Sequence, residues 1–221
     1  PRLMPELVVH DSALLAETPN GILARSAMNG FDKGVELLYA ADHTPITDGV
    51  AVRGLRLLQA SLPQLPDGAS EEALSDALQG IACAQYGVST PRGYRASIIH
   101  AFGHALSRRY PIQQGVAHAI AAPHVLDYLF ERVDGRRTLL AEAFDVAATD
   151  PEAQAAGVVD AVADVRDGLG LPAQLRGVDG AEKADFPELA DAVLEDSFMA
   201  AAPAGLDADA AGIESVFDAM W

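Results

Sequence analysis

Lysine is almost missing from this chain: Lys33 and Lys183 are the only two in 221 residues. Fifteen basic residues face 32 acidic ones, for a formal net charge of −17. Such a field repels nucleic-acid phosphates and anionic lipid surfaces, so neither nucleic acid nor a membrane is expected as a partner. An Asp-rich, Lys-poor surface suits a protein kept soluble in concentrated salt, where repulsion is screened within a few Å. The expectation is therefore an acidic, halophilic, cytoplasmic protein. A single cysteine, Cys83, excludes an internal disulfide framework and a thiolate metal cluster. Its apolar neighbours Ile81, Ala82 and Ala84 mark it as a small packing residue. No apolar run is long enough to span a bilayer, and no Arg-flanked apolar segment opens the chain. The first residue is Pro1 rather than Met, which points to processing or to a piece of a longer chain. No G-x-G-x-x-G loop occurs, so a phosphate cradle for a dinucleotide is missing.

Half of the residues are apolar, enough for one sizeable core. Alanine dominates and β-branched residues are sparse, which favours helices. Pro5 to His10 (PELVVH) carries the one strand-like signal. A strand needs a hydrogen-bonded neighbour, so its partner is expected outside the chain. Residues 22–41 place Ile22, Leu23, Met28, Phe31, Val35, Leu38 and Tyr39 near helical spacing. Pro45 breaks that helix, and Thr47 or Asp48 is expected to cap the next, which reaches Leu62. Ser70 caps another, with Glu71 and Glu72 in its first turn. Pro91-Arg92-Gly93 separates that helix from one holding Ser97 to Arg109, and Pro111 to Gly115 interrupts again. Val116 to Arg132 follows, with a start or kink expected at Pro123. Asp207 to Trp221 reads as a terminal amphipathic helix. The sum is an all-α bundle of seven to eight helices with an orphan N-terminal strand.

Four of the six histidines fall within 25 residues: His100, His104, His118 and His124. His100 and His104 share one helix face, a spacing that suits one divalent metal but also a polar core pair. His10 and His43 are expected to face solvent, and His124 to begin a helix. Arg108-Arg109 is either an anion-binding pair or a solvated helix end; Arg136-Arg137 reads as a turn.

These motifs resemble the iron-containing alcohol dehydrogenase family, in particular its maleylacetate reductase-like branch. Members carry two histidines four apart on a helix, a His-Gly or His-Ala turn ten residues on, and a helix ending in Pro-His. Here the corresponding residues are His100, His104, Gln114-Gly115 and Pro123-His124. The stretch from Ser26 to Ala40, with Met28-Asn29, is similar to the reductases' serine-glycine-methionine-asparagine segment. Val8 to Asp11 with Thr18-Pro19 resembles the family's junction into its helical domain, and Asp196, Met199 and Pro203 fit a late segment.

The resemblance implies the C-terminal helical domain of a dehydroquinate synthase-like fold. Residues 1–20 would be a junction from a missing N-terminal α/β nucleotide-binding domain, and 21–221 the substrate and metal side. It further implies an NAD- or NADP-dependent oxidoreductase acting on a small alcohol, aldehyde or keto acid, homodimeric or larger. The cofactor would be bound mainly by the absent domain, so the chain alone would be inactive. The family's metal ligands fall on Asn29, Lys33, His100 and Gln114, of which His100 alone is retained. Two neutral amides and an ammonium disfavour iron or zinc; any bound metal would rest on His100, with Asn29 and Gln114 as weak ligands. Lys33 could instead place a fixed cation against the oxygen that gains negative charge. His104 would relay the proton, and His100, Asn29, Gln114 and His118 would line the substrate. For His118 a packed polar role is the equal alternative, and for Lys33 a salt bridge with Asp32 or Glu36. The competing reading is a non-catalytic helical scaffold derived from the same family.

Overall fold

A computed structural model describes residues 7–89 and 96–221, and every described element is helical. The helices are α1 (Ser12–Ala16), α2 (Asn20–Tyr39), α3 (Pro45–Ser61), α4 (Glu71–Ser89), α5 (Ile98–Arg109), α6 (Gln114–Arg132), α7 (Arg137–Ala143), α8 (Pro151–Gly168), α9 (Phe186–Leu194) and α10 (Ala210–Ala219). The all-α expectation holds, with ten α-helices among the described residues rather than seven or eight. The surplus comes from short pieces such as α1 and α7, five and seven residues long, which a periodicity of 3.6 cannot flag.

The expected strand is not seen. Leu7 to His10 has no regular structure and Leu7, Val8 and Val9 are exposed, as a strand without a neighbour must be. Pro5 and Glu6, and the Pro91-Arg92-Gly93 break, lie outside the described residues.

Start signals are read from side chains. Asp11, Asp150 and Asp209 cap α1, α8 and α10, with carboxylate oxygens accepting first-turn N–H groups. Ser70 Oγ accepts from Ala73 N at 3.1 Å at the head of α4, as expected. The cap of α3 is Thr44, one turn earlier than Thr47 or Asp48. Thr44 and Thr47 form a reciprocal box, each hydroxyl accepting the other's backbone N–H, and Pro45 takes the first helical position. Pro123 neither starts nor ends a helix: α6 runs unbroken through it. Residues 117–123 are all buried, so packing on every side holds the segment helical despite the missing N–H.

The long helix α2 is the axis of the bundle, packed against α3, α4 and α6, while α5 lies along α6. Met28, Phe31, Val35 and Leu38 of α2 are fully buried. Helices α3 and α4 cross where Gly54 and Gly80 meet: a Cβ on either would lie 3.0–3.1 Å from the other's carbonyl oxygen. On the far side, α9 and α10 cover α5 through Phe102, Phe186, Phe217 and Trp221. The Phe102 and Phe217 rings are 4.9 Å apart, a pairing worth about 1 kcal/mol beyond the area buried. No described helix is long and apolar enough to cross a membrane.

Candidate active site

Three helices bring the candidate residues to one region. Asn29 and Lys33 lie one turn apart on α2, His100 and His104 one turn apart on α5, and Gln114 and His118 one turn apart at the start of α6. Asn29 Nδ2 donates to Gln114 Oε1 at 3.4 Å. The His100 and His118 rings lie 4.3 Å apart, and Phe198 packs against His100 and His104 at 5.8 and 4.9 Å. Lys33 Nζ donates to Gln85 Oε1 of α4 at 3.0 Å. Burial lowers the Lys33 pKa, partly countered by the nearby charge of Glu36.

Beneath these residues lie two buried carboxylates that sequence reasoning did not assign. Glu36 is inaccessible to solvent, and its Oε2 is 2.6 Å from His100 Nδ1. Its Oε1 accepts the backbone N–H of His100 at 3.0 Å and the Tyr39 hydroxyl at 3.3 Å. Asp32, one turn earlier, is equally buried, with Oδ2 3.2 Å from His118 Nδ1. Both carboxylate–imidazole contacts are within ion-pair distance but off the line of a good hydrogen bond, and Nε2 of each ring has no partner. Burial, then the charge of Glu36, raises the Asp32 pKa well above the usual carboxylate range. Burial, then the positive charges of His100, His104 and Lys33, lowers that of His118 far below the usual imidazole value. Both shifts disfavour the charged form, and burial is the larger cause of each. His118 is wedged against α5 where Gly103 leaves room, since a Cβ there would lie 2.2 Å from its ring. His118 is inaccessible to solvent in this packing. The signal for Asp32 and Glu36 was in the sequence: two acids four apart among the apolar residues of α2.

His104 is the more open histidine. Its Nδ1 is 2.9 Å from Asp196 Oδ2, and Arg108 Nη1 is 3.7 Å from the same oxygen. Arg109 is an exposed helix-end residue paired with Asp185 at 2.6 Å. Burial lowers the pKa of His124, which lies mid-helix rather than at a start, while His10 and His43 are exposed as expected. Arg136-Arg137 does more than turn the chain. Arg136 adopts φ 55°, grips Asp48 with both terminal nitrogens at 2.9 and 2.6 Å, and donates to the Leu38 carbonyl. Arg137 donates to the carbonyls of Phe130 and Val133, which end α6. Cys83 is half-buried in α4.

The donor set at Asn29, Lys33, His100 and Gln114 does not fit a divalent metal. The two amides bond each other and the ammonium is a donor only, so of the four only the His100 imidazole, whose Nε2 has no partner, is a good ligand. Among the described residues no three of His, Cys, Asp or Glu are grouped as metal ligands would be.

Comparison with known proteins matches residues 23–221 to a family model described as the Fe-containing alcohol dehydrogenase family, C-terminal. The chain is 28% identical over 201 residues to 1,3-propanediol dehydrogenase of Citrobacter freundii, covering 88% of this chain and 50% of that one. It is 27% identical over 210 residues to maleylacetate reductase 1 of Cupriavidus pinatubonensis, covering 94% and 55%. The chain thus spans about half the length of these curated relatives. A solved 1,3-propanediol oxidoreductase superposes with a TM-score of 0.84 at 23% identity, over 96% of this chain and 55% of that one. A solved maleylacetate reductase of a Rhizobium species does so with 0.81 at 23% identity, over 99% and 58%. At such identities these two structures speak to the fold.

Proposed function

The chain belongs to the iron-containing alcohol dehydrogenase family, and we propose that it is the substrate-side helical half of a nicotinamide-dependent oxidoreductase that works without a metal. Its relatives named above are alcohol dehydrogenases and maleylacetate reductases. NAD or NADP is assigned to a preceding α/β domain joined through residues 1–20, because this chain has no glycine-rich phosphate loop. When bound, the nicotinamide supplies or accepts the hydride; the helical chain alone is inactive. The substrate is a small alcohol, aldehyde or keto acid held against 21–221 in a cytoplasmic homodimer or larger assembly.

What supports this reading is the placement of the Asn29–Gln114 pair, and of Lys33 one turn along α2 from Asn29, on the helices that hold the buried His100–Glu36 and His118–Asp32 pairs. A carbonyl oxygen gaining negative charge needs a preorganised cation or donors, and Lys33 and the two amides supply these. Their placement costs little reorganisation, since Gln85 holds the ammonium and Gln114 holds Asn29. His104 is the proton relay: with Nδ1 on Asp196, its Nε2 is the atom that gives or takes the proton. His100 and His118 shape the floor.

A carbonyl screen of the full-length protein in high salt, with both reduced nicotinamides, tests the proposal. Turnover should survive exhaustive chelation, and Lys33→Gln should lose roughly 100-fold or more in kcat, the scale of a removed oxyanion donor. Activity that needs added iron or zinc and ignores the Lys33 change would refute it. A complete absence of turnover would favour the non-catalytic scaffold.

A further inference from the structure

A cavity of about 290 Å³ opens beside the proposed centre, lined by Arg25, Ser26 and Asn29 of α2 and by Gln113, Gln114 and Gly115 at the start of α6. In a chain of net charge −17 its wall carries a cation and polar groups but no carboxylate. We propose that this cavity is an anion subsite in which Arg25 holds a carboxylate carried by the substrate. The inference rests on the reductase reading for its substrate, and on the cavity alone for its anion.

Arg25 is placed for that task. Its Nε donates to the Gly21 carbonyl at 2.5 Å, fixing the arm one turn back along α2. No carboxylate lies within ion-pair distance of it among the described residues, a state it shares with Arg53 and Arg176, whereas Arg56, Arg108, Arg109, Arg132, Arg136, Arg137 and Arg166 all have acidic partners. A guanidinium carries five N–H donors in a planar fork that matches a carboxylate, and the terminal nitrogens of Arg25 remain for a ligand. Gln114 uses its amide oxygen on Asn29, leaving its NH₂ to donate, and the Ser26 hydroxyl adds another donor. One edge is set by backbone packing. A Cβ on Gly115 would lie 1.8 Å from the Arg25 carbonyl oxygen, so α6 abuts α2 there directly.

Spacing narrows the ligand. Arg25 precedes Asn29 by one helical turn, about 6 Å along the axis. A carbonyl at Asn29, Gln114 and Lys33 would then bring to Arg25 a carboxylate two or three carbons away. Neutral alcohols and aldehydes leave this end of the cavity to water.

The full-length protein is assayed with succinate semialdehyde and with butanal, its uncharged counterpart, as parent, Arg25→Gln and Arg25→Lys. The preference for succinate semialdehyde over butanal should fall by ~10-fold in the glutamine variant, mainly through KM, with partial recovery in the lysine variant. A parallel loss for both aldehydes overturns the assignment. So does a shift confined to the KM of the reduced nicotinamide, which would give the cavity to the nucleotide's phosphates. Glutarate, an unreactive dicarboxylate, serves as a separate calorimetric probe. It should bind the parent and bind Arg25→Gln ~10-fold more weakly. Equal binding to both refutes the subsite even where the reductase works; loss of binding supports it even where no carbonyl is reduced.

Discussion

Gly115→Ala is the sharpest mechanical test of how the site is assembled. The added methyl would lie 1.8 Å from the Arg25 carbonyl oxygen and 2.6 Å from its carbon, where ordinary contact begins near 3.4 Å. Neither atom can rotate away, because both belong to the backbone of α2. Helix α6 must therefore back off by about 1.6 Å, well beyond what a close-packed interior absorbs. Overpacking of this kind costs about 1–3 kcal/mol, and contact against backbone puts this case at the upper end. The same shift breaks the Asn29–Gln114 contact, already long at 3.4 Å. A misplacement of about 1 Å in reacting geometry costs on the order of 100-fold in rate. Gly49→Ala is the matched control: nothing lies within 4 Å of its Cβ in mid-α3, so it should gain ~0.5–1 kcal/mol. Urea midpoints on both variants, with turnover of the full-length protein, decide the matter. A Gly115→Ala protein as stable and as active as its parent would refute the close approach of α2 and α6.

Glu36→Ala should cost about 3–5 kcal/mol by urea unfolding, because it strands the His100 backbone N–H, the His100 ring and the Tyr39 hydroxyl in the core; Glu36→Gln should recover part of that. Asp32→Asn should change the pH dependence of stability with a defined sign. The folded parent keeps a proton on Asp32 above the unfolded pKa of about 3.9, so its stability falls as pH rises from there to the raised folded value. The variant lacks that term and should gain on the parent by up to ~1.4 kcal/mol per pH unit in that window; parallel curves would sink the assignment. His118 acts in the opposite direction, its neutral folded form losing stability as pH drops through about 6.5, and this slope should persist in Asp32→Asn. His104→Ala should reduce reductase kcat by roughly 100-fold or more, and Asp196→Asn should displace the pH–rate profile that His104 sets, whereas a merely structural Asp196 would leave the profile in place.

Much of this fold was readable because its signals are local. The periodic apolar residues of α2 and the Ser70 cap each follow from residues within a turn or two of one another. The strand-like segment takes no regular structure here, since Leu7, Val8 and Val9 are apolar without being buried by anything in this chain. Pro123 starts no helix because burial around the middle of α6 outweighs a lost hydrogen bond, a tertiary effect that no local pattern reports. Within the site, Asn29, Lys33, His100, His104 and Gln114 were singled out through their family spacing, and the fold places them on α2, α5 and α6. Asp32 and Glu36 carried a weaker signal, two acids four apart among apolar residues, because an acid on a helix reads as solvated until the neighbouring histidines arrive from α5 and α6. Arg25 was overlooked for the converse reason: an arginine in an acidic chain looks like a salt-bridge donor until its surroundings are seen to hold no acid.

Elemental analysis of purified full-length protein, read beside its turnover of a carbonyl substrate, bears most directly on the claim that Lys33 stands in for a metal. Full activity with far less than one iron or zinc per chain is the predicted result. One tightly held iron or zinc per active site, lost together with activity on chelation, would contradict it.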